Sequence, residues 1–168
     1  MAARICGFAP VARPDARVLV LGSMPGRRSL EQCEYYAHPQ NAFWKIMAVL
    51  TGTLAVAPYP QRLESMQAAG IALWDVLASC ERHGSLDADI SAESTNDFSL
   101  FFSGHPHIRQ VFFNGAKAEK SFRKFVLDRQ DLPPLIYTRL PSTSPAHAGM
   151  DFAAKLAAWR VIMDFEPV

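Results

Sequence analysis

An unbroken apolar run, Val18-Leu19-Val20-Leu21, stops at Gly22-Ser23-Met24-Pro25-Gly26, and the next helical pattern begins only near Asn41. Four consecutive aliphatic residues suit a strand covered on both faces, as in a parallel sheet. A loop between a parallel strand and its helix usually needs about 2–6 residues. This one extends from Gly22 to Gln40 and carries two glycines, two prolines, Tyr35, Tyr36, His38 and a pair of arginines. Long loops at the C-terminal ends of parallel strands are where α/β proteins hold their sites. The segment Leu19–Trp44 therefore fixes both the fold class and the place to look for chemistry.

The rest of the chain repeats the alternation. Residues 1–16 read as an irregular lead-in. After Asn41, a suitable helix cap, Phe43, Ile46, Met47 and Leu50 recur at helical spacing and Thr51-Gly52 ends the helix. A second helix is expected from Pro60 to about Ala69, closed by Gly70. Ile71–Leu77 reads as a second strand with Asp75 near its end, and residues 79–93 as a polar loop. Ser94–Asp97 offers caps for a short helix over Phe98–Phe102. Val111-Phe112-Phe113 is a third strand ending in Asn114-Gly115. Its helix carries Phe122, Phe125 and Val126 inward and Lys117, Lys120, Arg123 and Lys124 largely outward. Leu135–Thr138 is a fourth strand, running into Leu140-Pro-Ser-Thr-Ser-Pro-Ala-His147. Phe152, Leu156, Trp159 and Met163 would share one face of the last helix. The pattern predicts a three-layer α/β/α sandwich around a central, mostly parallel four-stranded sheet, with the site where the post-strand loops converge.

The chain's 168 residues suit one domain, and 49 % hydrophobic against 20 % charged residues supply a core. No apolar run approaches the length of about 18 residues that spans a membrane, and no signal peptide is evident. Three widely spaced cysteines without a CxxC pair argue against structural zinc or an iron–sulfur cluster and suit reduced thiols in the cytosol. The formal net charge of +1 neither requires nor excludes a nucleic-acid partner. Motifs for P-loop and dinucleotide binding, HExxH metal binding and the GxSxG nucleophile elbow are absent. Aromatic, amide and backbone groups remain. Tyr35 and Tyr36 can stack a planar ligand or serve as packing pegs. Asn41 can cap a helix or hold a water. Asp75 can accept from a ligand or cap a turn, and Asn114-Gly115 suits a tight turn or a phosphate approach. Ser142, Thr143 and Ser144 can donate to phosphates or belong to an ordinary polar loop.

Four stretches, GSMPGRRSL (22–30), YYAHPQNAFWKIM (35–47), FNG (113–115) and LPSTSPAHA (140–148), resemble the uracil-DNA glycosylase superfamily, and within it the hypoxanthine-DNA glycosylase branch, also called family six or DNA-deoxyinosine glycosylases. With the strand order, the resemblance covers most of residues 1–168. It implies a single monofunctional glycosylase domain of base excision repair. Such an enzyme flips a deaminated base out of the duplex and hydrolyses its bond to deoxyribose, leaving an abasic site. Hypoxanthine from deoxyinosine is the expected substrate. A uracil- or mismatch-directed enzyme, a nucleotide hydrolase and a non-catalytic DNA-binding module of the same fold are the alternatives.

Where relatives have an Asp or Asn in the first motif, this chain has Met24, so the resemblance assigns catalysis to Asn41, acting through orientation and electrostatics. It assigns base contacts to Ser23, Met24, Tyr36, Asp75 and Asn114. It assigns DNA contacts to Pro25, Gly26, Ser142, Thr143, Ser144, Pro145, Ala146 and His147. Efficient uracil enzymes have a His where Leu140 stands, which favours a purine leaving group. The expected partner is double- or single-stranded DNA containing a deaminated base, met by a cytoplasmic, nucleoid-associated monomer without metal or cofactor.

Overall fold

The computed structural model describes residues 3–84 and 86–165. Its centre is a four-stranded sheet in the order β3 (Ile71–Asp75), β2 (Val18–Gly22), β6 (Gln110–Asn114), β7 (Ile136–Leu140), every neighbouring pair parallel. β2 is buried along its whole length, as its unbroken aliphatic run requires. The two-residue period of a strand divides the apolar side chains between two cores. Leu19, Leu21, Ala72, Trp74, Val111 and Phe113 face α4 (Phe98–Ser103) and α5 (Ala116–Phe122), meeting Phe98, Phe101, Phe102 and Phe122. Val18, Val20, Ile71, Leu73 and Phe112 face α2 (Phe43–Thr51), α3 (Tyr59–Ala68) and α6 (Phe152–Trp159). The predicted three layers and parallel sheet are present, with Asp97 capping α4 through Leu100 N–H and Gly52 closing α2 in the left-handed region.

Four local expectations need correction. The lead-in is not wholly irregular. Arg4–Cys6 forms β1, and Val11 bridges Leu73 by a reciprocal pair of backbone hydrogen bonds, covering the outer edge of β3. Residues 79–93 are not simply a loop. β4 (Leu77–Arg82) and β5 (Ile90–Thr95) pair antiparallel, and with β1 they form a second sheet in the order β1-β4-β5. The long first loop contains a helix, α1 (Arg27–Gln32), ended by Cys33 in the left-handed region. The last helix buries Lys155 and Trp159, and Ile162 in the 3-10 turn Arg160–Met163 that follows it, while Phe152 is 41 % exposed. No helix among the described residues is long and apolar enough to cross a membrane.

Because all four central strands run the same way, Gly22, Asp75, Asn114 and Leu140 end them on one edge, with Gly22 opposite Asp75 and Asn114 opposite Leu140. The loop from Gly22 to Ala42 and the segment from Pro141 onward start from that edge.

Candidate active site

Asp75 closes β3 with its side chain inside the protein, only 3 % of the residue exposed, and its Oδ2 has no hydrogen-bond partner among the described residues. Burial pushes its carboxyl up to about 7. Asp87 adds to the shift and the Arg82 guanidinium opposes it. The neighbouring backbone is tightly tied. Asn96 Nδ2 donates to the Asp75 carbonyl at 2.8 Å, and Val76 N–H donates to the Gly22 carbonyl.

Tyr36 approaches from the other side. Its backbone has φ 53°, a left-handed conformation uncommon for a side chain of this size. Such conformations cost about 1–3 kcal/mol and concentrate at functional sites. One ring face stacks on Phe43, centroids 4.2 Å apart and planes 28° from parallel. The hydroxyl is buried and lacks a partner, the second such side-chain oxygen. Burial, and the nearby Asp75, push that phenol far above its ordinary range; the Asn114 amide, close enough to stabilise the phenolate by hydrogen bonding but outside the geometry of a formed bond, opposes the shift.

Gly22 allows this meeting. A Cβ there would lie 2.5 Å from Asp75 Oδ1 and 2.8 Å from Tyr36 Oη. The glycine is required by close approach rather than by backbone conformation. Tyr35, by contrast, is a packing peg. It is buried, its hydroxyl donates to the Ala9 carbonyl, and its own carbonyl accepts from Trp44 Nε1 at 2.7 Å.

The first-motif residues turn inward. Ser23 Oγ donates to Asp87, which arrives from the 3-10 turn between β4 and β5. Met24 packs in the core with Leu21 and Trp74 and offers no polar group. The buried Arg82 donates to the Pro25 carbonyl at 2.6 Å, while Gly26 has open space about its Cα.

Asn41 lies one residue before Ala42, the N-cap of α2, and its Oδ1 accepts from Phe43 N–H at 2.9 Å in a local turn. That bond orients the amide. Its oxygen faces the helix, and its Nδ2 has no hydrogen bond to protein among the described residues. An amide held so can donate to, or accept from, a reacting group, and it is far too weak to act as a general base.

Both polar atoms of the Asn114 amide are bonded to Thr143, which leaves one amide hydrogen over. Its Nδ2 donates to Thr143 Oγ1 and its Oδ1 accepts from Thr143 N–H, both at 2.9 Å. Thr143, 1 % exposed, in turn accepts at its carbonyl from Ala42 N–H at 3.0 Å. Trp159 Nε1 donates to the Pro141 carbonyl, and the buried Lys155 reaches the Ser144 carbonyl at 3.5 Å. Burial lowers the affinity of Lys155 for its proton. Ser142 and Ser144 are half-buried and cap their own loop, whereas Pro145, Ala146 and His147 are exposed.

Asp75, Gly22, Tyr36, Phe43, Asn41, Ala42, Thr143 and Asn114 thus follow one another around a single site. Asp87, Arg82, Lys155 and Trp159 belong to its surroundings and were not among the residues expected there. Only Trp159 carried a sequence signal, its place on the apolar stripe of the last helix. Among the described residues no three His, Cys, Asp or Glu side chains gather as a metal site.

An aromatic platform, an oriented amide and a buried carboxyl group thus stand at the C-terminal edge of a parallel sheet, where α/β proteins hold their ligands. The family model of the uracil DNA glycosylase superfamily matches residues 9–162. This chain belongs to that superfamily. It is 38 % identical over 113 residues to a hypoxanthine DNA glycosylase of Methanosarcina barkeri (strain Fusaro / DSM 804), covering 67 % of this chain and 72 % of the relative. A protein of the same description from Methanosarcina acetivorans is 36 % identical with the same coverage. The solution NMR structure of a candidate uracil DNA glycosylase from Methanosarcina acetivorans superposes with a TM-score of 0.78 at 30 % identity, covering 96 % of this chain and 97 % of that one.

Proposed function

We propose that the chain is a monofunctional DNA glycosylase of base excision repair that removes hypoxanthine from deoxyinosine. The observation that carries this reading is the pair of buried oxygens, Asp75 Oδ2 and Tyr36 Oη, left without protein partners beside Gly22. A buried polar atom without a partner is costly unless something else binds it. Hypoxanthine presents N1–H next to a carbonyl. An ionised Asp75 accepts from that N–H and the Tyr36 hydroxyl donates to that carbonyl. Uracil offers the same kind of edge. The purine is favoured because the relatives carry that description and because Leu140, apolar and 4 % exposed, ends β7 where a leaving-base donor would stand in an efficient uracil enzyme.

In the reaction, water adds to the anomeric carbon as the bond to the base nitrogen breaks. The base carries away the electron pair and is protonated, and the water's second hydrogen stays on the sugar hydroxyl. Asn41 orients water or stabilises charge at the oxocarbenium-like sugar. Tyr36 walls the base and contributes its hydroxyl, and the Ser23–Met24 turn, its side chains directed inward, lies beside it. Gly26, Ser142 and Ser144 face the DNA backbone, and Pro25, buried with its carbonyl held by Arg82, supports the turn beneath them. Pro145, Ala146 and His147 form the exposed tip that enters the space left by the flipped nucleotide. One domain, residues 1–168, acts as a monomer on lesion-containing DNA in the cytoplasm, at the nucleoid.

The test is excision from duplexes carrying one deoxyinosine or one deoxyuridine, read as alkali-labile sites, beside free deoxyinosine as a control. Hypoxanthine release from DNA, faster than uracil release and absent from the free nucleoside, is expected. Release of uracil alone would move the substrate assignment, and lesion binding without alkali-labile sites would overturn the enzymatic reading. Lesion binding should weaken as salt rises, through released counterions.

A further inference from the structure

The family resemblance marks Asn114 as a base contact, yet both polar atoms of its amide are bonded to Thr143. A terminal amide has two donor hydrogens and one acceptor oxygen. Here the oxygen holds the Thr143 N–H and the nitrogen holds the Thr143 hydroxyl, in a two-point clasp. The clasp bridges 29 residues of sequence and joins the end of β6 to the DNA-facing loop. Thr143 does not end the connection, because its carbonyl accepts from Ala42 N–H, the peptide directly after Asn41. Asn41 itself is fixed on its far side by Phe43 N–H.

We propose that Asn114 and Thr143 are a positioning pair for the glycosidic step: they lock the DNA-facing loop to the backbone of Asn41, so that the loop's seating on DNA and the aim of the Asn41 amide are set together. Neither side chain touches the departing base. The proposal rests on the reading of Asn41 as the catalytic amide. The surroundings fit a clasp. Gly115 has φ 91°, and a Cβ there would lie 3.1 Å from Ser142 Cβ, so the loop lies directly against the turn that carries Asn114. Trp159 and Lys155 hold the residues on either side of the clasp, at Pro141 and Ser144. The loop's base is pinned by three elements, while its tip is exposed.

The test combines a double-mutant cycle with amide hydrogen exchange. Asn114→Ala, the isosteric Thr143→Val, the double variant and Thr143→Ser are measured by single-turnover excision of hypoxanthine at saturating enzyme. Each disruptive single variant should lower the chemical rate by about 10- to 100-fold, the scale of a small misplacement of a reacting group. The double variant should fall no further than the worse single one, because both break the same connection. Thr143→Ser, which keeps the hydroxyl, should stay within about threefold of wild type on that scale. The ratio of hypoxanthine to uracil excision should not change. The Ala42 amide should exchange faster in Asn114→Ala and in Thr143→Val than in wild type.

Losses that multiply in the double variant, or a changed base ratio in Asn114→Ala, would overturn the proposal and make Asn114 a base contact. Unchanged exchange at Ala42 would overturn it independently of any activity. If the wild-type protein releases no hypoxanthine, the substrate reading fails by itself, and exchange at Ala42 then decides the clasp.

Discussion

The two halves of the site treat polar atoms in opposite ways. At the ends of β2 and β3, Asp75 Oδ2 and Tyr36 Oη are buried without partners. At the ends of β6 and β7, Asn114, Thr143 and Trp159 are buried or half-buried, and their side-chain polar atoms are bonded. A buried polar group left unsatisfied costs about 1–3 kcal/mol, whereas a satisfied one adds about 0.5–1.5 kcal/mol. On the proposed function, the first half forgoes stability to keep hydrogen-bonding capacity for a base. The second uses its capacity to hold a loop still. Removing polar groups should therefore raise stability and lower activity on the first side, and lower both on the second.

Gly22→Ala should break the first half most severely. The added methyl would strike Asp75 and Tyr36, so hypoxanthine excision should fall by about 100-fold or more. Urea unfolding should show a loss of about 1–3 kcal/mol, the usual cost of overpacking.

Asp75→Asn sharpens the comparison through pH. The folded-state carboxyl is raised to about 7, so its contribution to stability is fullest below the ordinary carboxylate range, near pH 4, and is lost as pH rises through about 7. Unfolding free energies measured at pH 5 and pH 8.5 should fall across that window in wild type. The fall should exceed that in Asp75→Asn by about 2–4 kcal/mol. Hypoxanthine excision by the variant should drop about tenfold, the value of one lost hydrogen bond to the base. Unchanged excision would remove Asp75 from base recognition.

On the satisfied side, Trp159→Phe orphans the Pro141 carbonyl and leaves space in a fully buried position. It should cost about 1–3 kcal/mol in thermal or urea unfolding and slow excision with it. Tyr36→Phe should give the smallest change in stability, and one of opposite sign. Deleting an unpartnered buried hydroxyl should leave stability level or raise it by up to about 1 kcal/mol, while excision of hypoxanthine falls. Destabilisation by Tyr36→Phe would show that the hydroxyl is satisfied in the free protein, and the contrast between the halves would collapse.

The central sheet was legible because its strands are apolar runs that need cover on both faces. Val18–Leu21 and Val111–Phe113 admit few other readings. The second sheet was not legible, since β4, Leu-Ala-Ser-Cys-Glu-Arg, and β5, Ile-Ser-Ala-Glu-Ser-Thr, are too polar and small to show a buried face. β4 is held partly by Arg82 reaching the Pro25 carbonyl, a long-range polar contact with no local signature. α1 escaped notice because Arg-Arg-Ser-Leu-Glu-Gln buries only Ser29. In the site, Asp75 and Asn114 stood out as polar residues ending strands, whereas Tyr36 and Asn41 took their roles from the resemblance carried by YYAHPQNAFWKIM. That Asn114 clasps Thr143 through both its amide nitrogen and oxygen, that Asp87 holds Ser23, and that Lys155 reaches the Ser144 carbonyl depend on geometry that spacing does not encode.

The most direct measurement is single-turnover release of hypoxanthine from a deoxyinosine duplex by wild type and Asn41→Ala, with lesion binding measured in parallel. The account predicts release by wild type and a loss of about 100-fold or more in the variant, with binding retained. Release that survives in Asn41→Ala would contradict it, leaving Asn41 as a support of the turn that starts α2 and placing the catalytic group elsewhere on the same strand edge.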